Sequence, residues 1–263
     1  MGEPAAPQPL PARPRSLLPL WFSAALAILW LAVRDLDMSL EDLLYGVDDM
    51  VEYFGRYGSP DFSRMGHYAT LMLQTLATAL WGTALALGVA FFVAPLAARN
   101  LSPNRVTYRV AREFLNVVRA LPDLLLALLF VAALGLGPLP GVLALGVHTA
   151  GFLGKFCAES MERVDAGVYQ AVEATGATRA QQVIHAAWPS IGREVVGYAL
   201  VILDRNVRMA SVLGLVGAGG IGLALHDTLR LFDYGQSSAL IIVMLVTIVG
   251  IDALSTWLRG RLH

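Results

Sequence analysis

The chain of 263 residues is 56% hydrophobic and only 15% charged, with a formal net charge of −1 at pH 7. Soluble domains carry about a quarter charged residues, so this composition, with its apolar residues in long blocks, indicates a polytopic membrane protein. The near-neutral charge excludes a general attraction to nucleic acid. The single cysteine, Cys157, excludes an intrachain disulfide or a CxxC pair.

Long apolar segments separated by polar ones predict several membrane spans. A bilayer core about 30 Å thick needs about 20 apolar residues in a helix. Six segments reach or approach that length: 17–33, 68–95, 120–136, 138–158, 191–213 and 236–258. A Gly/Pro turn alone separates the third from the fourth, which predicts a tight hairpin. The predicted fold class is an all-α polytopic membrane protein with six transmembrane helices.

The N-terminal region divides into a tail, a first span and an external loop. Residues 1–16 are rich in proline and are expected to form a disordered cytoplasmic tail. The apolar run that follows is long and lacks a clear cleavage site, which favours an uncleaved first transmembrane helix over 17–34. Within the acidic loop 35–67, residues 39–54 start with Ser39, a candidate N-cap, and carry an apolar stripe from Leu40 to Phe54. It predicts an amphipathic helix, either on the outer membrane surface or packed in a small external cap.

The basic residues predict the orientation of the spans. Arginines precede the first span, follow the second, separate the fourth from the fifth and follow the sixth: Arg13, Arg15, Arg99, Arg105, Arg109, Arg112, Arg163, Arg179, Arg259 and Arg261. The positive-inside rule places these segments in the cytoplasm. Both termini, including the short tail 259–263, are therefore predicted to be cytoplasmic.

The fifth predicted span is interrupted by charged residues in the stretch LDRNVRM. Ionisable residues inside a membrane usually face a bundle interior or a hydrated path. Asp204 and Arg208 are spaced i,i+4, which predicts an internal ion pair and leaves Arg205 as a surplus positive charge beside Asn206. Two interpretations stay open: these residues line a translocation path, or they are structural.

Glycines follow these charges in MASVLGLVGAGGIG. Gly217, Gly219 and Gly222 match the spacing of a dinucleotide-binding loop, but that loop needs alternating strands and helices, which a chain of membrane spans does not provide. Lys155 follows a glycine but precedes phenylalanine, so a phosphate-binding P-loop is also excluded. With Gly214 and Gly220, these glycines instead predict a broken helix that acts as a gate or hinge.

Other polar residues lie within predicted spans and have two open roles. His148 and Thr149 lie in the fourth span, and Gln74 and Thr75 lie in the second. Such side chains either join helices by hydrogen bonds or line a path for substrate. A membrane-embedded enzyme, the alternative from another class, needs a nucleophile with its base or clustered metal ligands. The histidines are scattered and no catalytic motif occurs, so no catalytic or metal site is predicted.

A polar stretch on the cytoplasmic side, YQAVEATGATRAQQVIHAAWP, predicts a helical hairpin over 169–189. One short helix is followed by a turn at Ala174-Thr175-Gly176. Thr178 and Gln181 form a capping box for a second short helix, which Pro189 is expected to end. Two short helices joined at a glycine form a compact projection that suits the cleft of a partner.

This stretch resembles the EAA coupling loop of ATP-binding-cassette (ABC) importer permeases, which docks into the ATPase subunits. Ala171, Gly176 and Pro189 match the family pattern, whereas Gln170 replaces its first glutamate and Glu173 is expected to supply the acid. The resemblance implies that residues 164–189 form the coupling loop. The residues expected to contact the ATPase are Gln170, Ala171, Glu173, Ala174, Gly176, Thr178 and Arg179.

Further stretches resemble the phosphonate-type branch of these permeases: LQTLATALWGT, LAARNLSP, RALPDLLLALLFVAALGLGPLPGVLALGVHTAGFLGKFCAESMERVD and NVRMASVLGLVGAGGIG. The resemblance implies a bacterial inner-membrane subunit of a type I importer for phosphonates or related phosphorus oxyanions, with its permease core over 68–258. It implies a second copy of the chain, two ATPase subunits that bind ATP and magnesium, and an external substrate-binding protein. The chain itself then needs no cofactor. A permease for methionine or another small solute is the alternative within the class.

Overall fold

The computed structural model describes residues 17–35 and 40–261, which form helices and no β-strand. The chain divides into two compact units, one ending at Gly55 and the other beginning at Arg56. The first unit contains α1 (Leu18–Asp35) and α2 (Leu40–Gly55). The expected tail 1–16, the candidate cap Ser39 and the last two residues of the C-terminal tail lie outside the described residues.

The second unit contains the remaining helices in chain order. They are α3 (Met65–Ala97), α4 (Arg105–Ala120), α5 (Asp123–Leu134), α6 (Pro138–Arg163), α7 (Ala166–Glu173), α8 (Arg179–Gln182), a π-helical segment (Val183–Ala187), α9 (Trp188–Gly214), α10 (Gly220–Arg230) and α11 (Tyr234–Gly260). The all-α prediction is therefore confirmed for the described residues.

Three described helices, α3, α6 and α11, are long and apolar enough to cross a membrane. A fourth span results if α4 and α5, which meet at a bend of 85°, are taken together. The apolar part of α1, Leu18–Arg34, is shorter than the 18 residues taken as the minimum for a membrane span. α9 has the length, but it carries five charged residues: Arg193, Glu194, Asp204, Arg205 and Arg208. The number of six spans thus stays a prediction.

The third predicted span differs most from the structure. Residues 120–136 were expected to form one helix, but α5 begins only at Asp123 and has 12 residues. Pro122 precedes it in an extended conformation (φ −60°, ψ 133°), because a proline and the residue before it disfavour a continuous helix. The helix before the bend, α4, was not predicted. Asn104 caps it by accepting a hydrogen bond from the Thr107 amide at 2.7 Å.

α3 and α6 form the centre of the second unit and pack through small residues. From Thr75 to Ala97 the buried residues of α3 are alanine, threonine and glycine apart from Pro95, and such small residues allow close helix contacts in membranes. A Cβ at Gly82 would lie 2.8 Å from Leu145 Cβ, and one at Gly151 would lie 2.9 Å from the Leu115 carbonyl oxygen of α4. The helix axes can therefore approach only because these positions lack a side chain.

The predicted helical hairpin is present, with one correction. α7 ends before a turn in which Gly176 has φ +79°, and the capping box of Thr178 and Gln181 is complete. Pro189, however, does not end the second helix. α8 continues through the π-helical segment into α9, and Pro189 lies in the first turn of α9, where a proline costs no α-helical hydrogen bond.

Candidate functional site

The charged stretch of α9 contains the predicted ion pair. Arg208 Nη1 lies 3.1 Å from Asp204 Oδ1, and its Nη2 contacts the second carboxylate oxygen. Asp204 is 10% exposed and Arg208 is 47% exposed, so the pair lies at the edge of the packed interior. A bidentate contact of this kind occupies both terminal nitrogens of the guanidinium and neutralises its charge locally.

Arg205 is not the surplus charge that the sequence predicted. Its Nη2 lies 2.9 Å from His148 Nε2 on α6 and 3.6 Å from Asp123 Oδ2 on α5. The prediction missed this pairing because Asp123 is distant in sequence and lies directly after the break at Pro122. A proline followed by an acidic residue at the start of an apolar run could have revealed the break and the helix start, but not the distant partner of Asp123.

His148 is held in one orientation by two different partners. Its Nδ1 lies 2.8 Å from the Leu121 carbonyl oxygen, which has no helical partner because α4 ends at Ala120. Since a carbonyl can only accept, Nδ1 carries the proton and Nε2 accepts from Arg205. The bend between α4 and α5 thus orients His148, and His148 in turn orients Arg205.

Aromatic and basic side chains complete what we call the Arg205 cluster: Arg119, Asp123, His148, Phe152 and Arg205. The guanidinium carbons of Arg205 and Arg119 lie 5.0 Å and 5.5 Å from the Phe152 ring centroid. Both distances are within the range of a cation–π contact. With two arginines and one aspartate, the cluster has a formal charge of +1 when His148 is neutral.

The Arg205 cluster retains hydrogen-bonding capacity for an anion. Within the described residues, the contacts of Arg205 with polar groups use only Nη2, so Nη1 and Nε remain as donors. The side chain of Arg205 is 35% exposed. Among the described residues, Arg205 thus keeps two guanidinium nitrogens without a polar partner, whereas both terminal nitrogens of Arg208 are paired with Asp204.

Asn206 lies apart from this cluster. Its side chain is fully buried and its Nδ2 donates to Thr83 Oγ1 of α3 at 2.9 Å. Its Oδ1 has no hydrogen-bond partner among the described residues. The geometry favours a role in joining α9 to α3, and a place for Asn206 in the substrate path stays a prediction.

The polar residues of α3 and α6 make local hydrogen bonds. Thr75 Oγ1 donates to the Leu71 carbonyl and accepts from the Ile221 amide of α10 at 3.0 Å, so this threonine joins two helices. Thr149 Oγ1 donates to the Leu145 carbonyl one turn earlier in α6. Gln74 is half-buried beside Thr75. Thr75 thus has the helix-joining role, and path-lining by these residues stays untested.

The predicted glycine hinge forms a closely packed turn between α9 and α10. Gly217, Gly219 and Gly220 have φ of +97°, +78° and +70°, which side-chain-bearing residues rarely adopt. A Cβ at Gly214 would lie 2.7 Å from Gly222 Cα, so neither position admits a larger residue without movement. α10 itself was not predicted from the sequence. These glycines have a packing role in this structure, and a hinge role stays a prediction.

Metal or nucleophilic chemistry has no evident centre in the part of the chain that is described. No group of three or more His, Cys, Asp or Glu side chains within it is placed to hold a metal ion. The Arg205 cluster offers donors for an anion and no hydroxyl or thiol nucleophile. The donors of this arrangement suit an oxyanion.

Comparison with known proteins shows similarity to a family of transport proteins and to several permeases. Residues 86–263 match the family described as binding-protein-dependent transport system inner membrane component. The chain is 40% identical over 217 residues to the phosphite transport system permease protein PtxC of Stutzerimonas stutzeri, covering 82% of this chain and 79% of that protein. It is 39% identical over 213 residues to the phosphate-import permease protein PhnE of Mycolicibacterium smegmatis, covering 81% of this chain and 40% of that longer protein.

Solved structures extend the similarity to the fold. The MetNI methionine ABC transporter, solved in inward facing conformations, contains a chain that superposes with a TM-score of 0.64 at 18% identity. The match covers 77% of this chain and 99% of that one. At this identity the likeness concerns the fold alone.

Proposed function

The chain belongs to the family of binding-protein-dependent transport system inner membrane components, and on that premise we propose that it is the permease subunit of an ABC importer for phosphite, phosphonates or related phosphorus oxyanions. The observation that carries the substrate class is the 40% identity to a phosphite permease over most of both chains. The methionine transporter shares the fold at 18% identity, which supports no substrate assignment.

The proposed assembly rests on the family description. We expect six spans with both termini in the cytoplasm of a bacterial inner membrane, a second copy of the permease, and two ATPase subunits carrying ATP and magnesium. A binding protein outside the membrane would deliver the substrate, as the family description indicates. The coupling loop 164–189 would receive the ATPase through the turn at Gly176 and the exposed residues beside it.

The Arg205 cluster is the proposed contact for the oxyanion. Guanidinium groups match phosphoryl oxygens by paired hydrogen bonds, and Arg205 has donors to spare. Asp123 limits the net positive charge, so that an anion is attracted without being held too tightly for release. Alternating exposure of this cluster to the two sides of the membrane would turn ATP-driven closure of the ATPases into import.

The test is uptake by the reconstituted complex. The chain, its ATPase and its binding protein would be placed in liposomes, and ATP-dependent uptake of phosphite, a phosphonate, phosphate and methionine would be measured for wild type, Arg205→Gln and Arg230→Gln. Arg230 is an exposed arginine of α10 and serves as the matched loss of one charge. A hydrogen bond to a charged group contributes about 1.5–3 kcal/mol, so Arg205→Gln is expected to lower oxyanion uptake about 10- to 100-fold.

The outcomes separate the family assignment from the site. Methionine uptake without oxyanion uptake would refute the proposed substrate class. Oxyanion uptake that is equal in wild type and Arg205→Gln would refute the role of the cluster and leave the substrate class standing. Phosphate release from a phosphorus ester by the chain without its partners would favour the membrane-embedded enzyme instead.

A further inference from the structure

A second basic site lies where α3 ends and α4 begins. A cavity of about 480 Å³ there is lined by Ser102, Pro103, Asn104 and Tyr108. Four arginines complete its lining: Arg99, Arg105, Arg109 and Arg179. No carboxylate is among the described residues that line it. We call it the basic pocket; it shares no residue with the Arg205 cluster.

The arginines of the basic pocket are held together without an internal counter-charge. Arg179 Nη1 donates to the Ser102 carbonyl at 3.0 Å, which fixes the coupling loop against the start of α4. The side chains of Arg99, Arg105 and Arg109 make no hydrogen bond or ion pair within the described residues. The four positive charges line one cavity, so they repel one another, and a bound anion relieves that repulsion.

An apolar groove continues from the basic pocket along α3. A cavity of about 380 Å³ shares Pro103 and Arg179 with the pocket and is otherwise apolar. A third cavity, of about 600 Å³, shares Phe92 with the second and reaches Trp81. From Leu96 to Trp81 the groove follows about 22 Å of helix, which exceeds the roughly 15 Å of hydrocarbon in one leaflet.

The junction between pocket and groove has the composition of a membrane interface. Trp188 lines the groove beside the basic pocket and stacks on Phe91 with ring centroids 4.9 Å apart and an interplanar angle of 15°. Tryptophan is enriched at the level of lipid headgroups. A basic end, an aromatic junction and an apolar track therefore follow one another in the order of the parts of a phospholipid.

We propose that this composite site binds an anionic phospholipid, with its phosphate in the basic pocket and one acyl chain along the groove. Arginine clusters on the cytoplasmic side of membrane proteins attract anionic headgroups, and the bidentate geometry of guanidinium suits the phosphate. Free phosphate would satisfy the basic pocket and leave the apolar groove without a role. The lipid is thus the occupant that accounts for both halves of the site.

Lipid retention by the purified full-length chain tests the proposal. The chain in a nonionic detergent would be titrated with phosphatidylglycerol or phosphatidylcholine of identical acyl chains, and bound lipid would be counted by native mass spectrometry. The double variant Arg105→Gln/Arg109→Gln removes two arginines that make no internal bond. At about fivefold per basic residue, its affinity for phosphatidylglycerol is expected to fall about 25-fold. The double variant Arg259→Gln/Arg261→Gln removes the same charge elsewhere and is expected to retain the lipid.

The groove is tested independently with Gly88→Leu and with inorganic phosphate. Gly88 lines the groove and a Cβ there meets no atom within 4 Å, so a leucine at this position starts into open space and projects into the groove. We expect this variant to lose phosphatidylglycerol and to bind inorganic phosphate as weakly as wild type. Equal loss in both double variants, or equal retention of the two lipids by wild type, would overturn the proposal. Tight binding of inorganic phosphate together with retention of lipid by Gly88→Leu would overturn it in favour of a free-phosphate site.

Discussion

Replacing Gly222 with alanine tests whether the glycines between α9 and α10 are there for close packing. The new Cβ would lie 2.9 Å from Gly214 Cα and 3.0 Å from the Ser211 carbonyl carbon, and closer still to the oxygen of that carbonyl. All three are backbone atoms, so the two helices must separate. Overpacking costs about 1–3 kcal/mol. We expect the upper end of that range, offset by at most about 1 kcal/mol of helix propensity, for a net loss of about 2 kcal/mol.

The measurement is unfolding of the purified chain in mixed micelles, followed by helical circular dichroism. Gly197→Ala is the matched control, since Gly197 lies inside α9 and a Cβ there meets nothing within 4 Å. This control is expected to gain about 0.5–1 kcal/mol. The prediction is that the free energy of unfolding falls in Gly222→Ala and rises in Gly197→Ala. If Gly222→Ala is as stable as Gly197→Ala, the close contact of the two helices does not exist in the protein.

Three further predictions concern the helical hairpin over 169–189 and the contacts at its base. Glu162 accepts hydrogen bonds from the Arg112 guanidinium at 3.1 Å and from the Arg99 amide at 2.7 Å. Glu162→Gln is therefore expected to lower the free energy of unfolding by about 1–2 kcal/mol. Because the two side chains form one pair, the double variant Glu162→Gln/Arg112→Gln should lose little more stability. Tyr169→Phe removes the hydrogen bond to the Met161 carbonyl, 2.8 Å long, and is expected to cost about 1 kcal/mol. Burial raises the pKa of the Tyr169 hydroxyl. Its contribution to stability is therefore fully present below the ordinary tyrosine pKa of about 10 and is lost only as pH rises through the higher folded pKa. Plots of unfolding free energy against pH for wild type and Tyr169→Phe should run parallel from about pH 6 to 9. Thr178→Ala breaks the capping box and is expected to lower the protection of the α8 amides from hydrogen exchange by about fivefold, equivalent to about 1 kcal/mol, whereas a change confined to α7 would contradict the assignment.

Local patterns in the sequence predicted local structure well. The capping box at Thr178, the turn at Gly176 and the i,i+4 pair of Asp204 and Arg208 are all present, because each depends on residues within one or two turns of helix. The apolar blocks likewise predicted the long helices α3, α6 and α11.

Long-range pairing could not be predicted in the same way. Asp123 and Arg205 are 82 positions apart, and only the bend at Pro122 brings the start of α5 to α9. The pattern of apolar residues marked the region as a span and gave no indication of an 85° bend within it. Pro189 was misjudged for a related reason: a proline is equally compatible with the end of one helix and the first turn of the next.

The continuity of α8, the π-helical segment and α9 has a mechanical consequence. From Arg179 to Arg205 every residue is helical, which amounts to about 39 Å of helix at the α-helical rise, and no loop interrupts it. A tilt of only about 5° would displace one end by about 3 Å relative to the other, a distance comparable to a hydrogen bond. A displacement of the proposed coupling loop would therefore reach the Arg205 cluster through helix alone, with the π-helical segment and Pro189 as the points where that helix can bend.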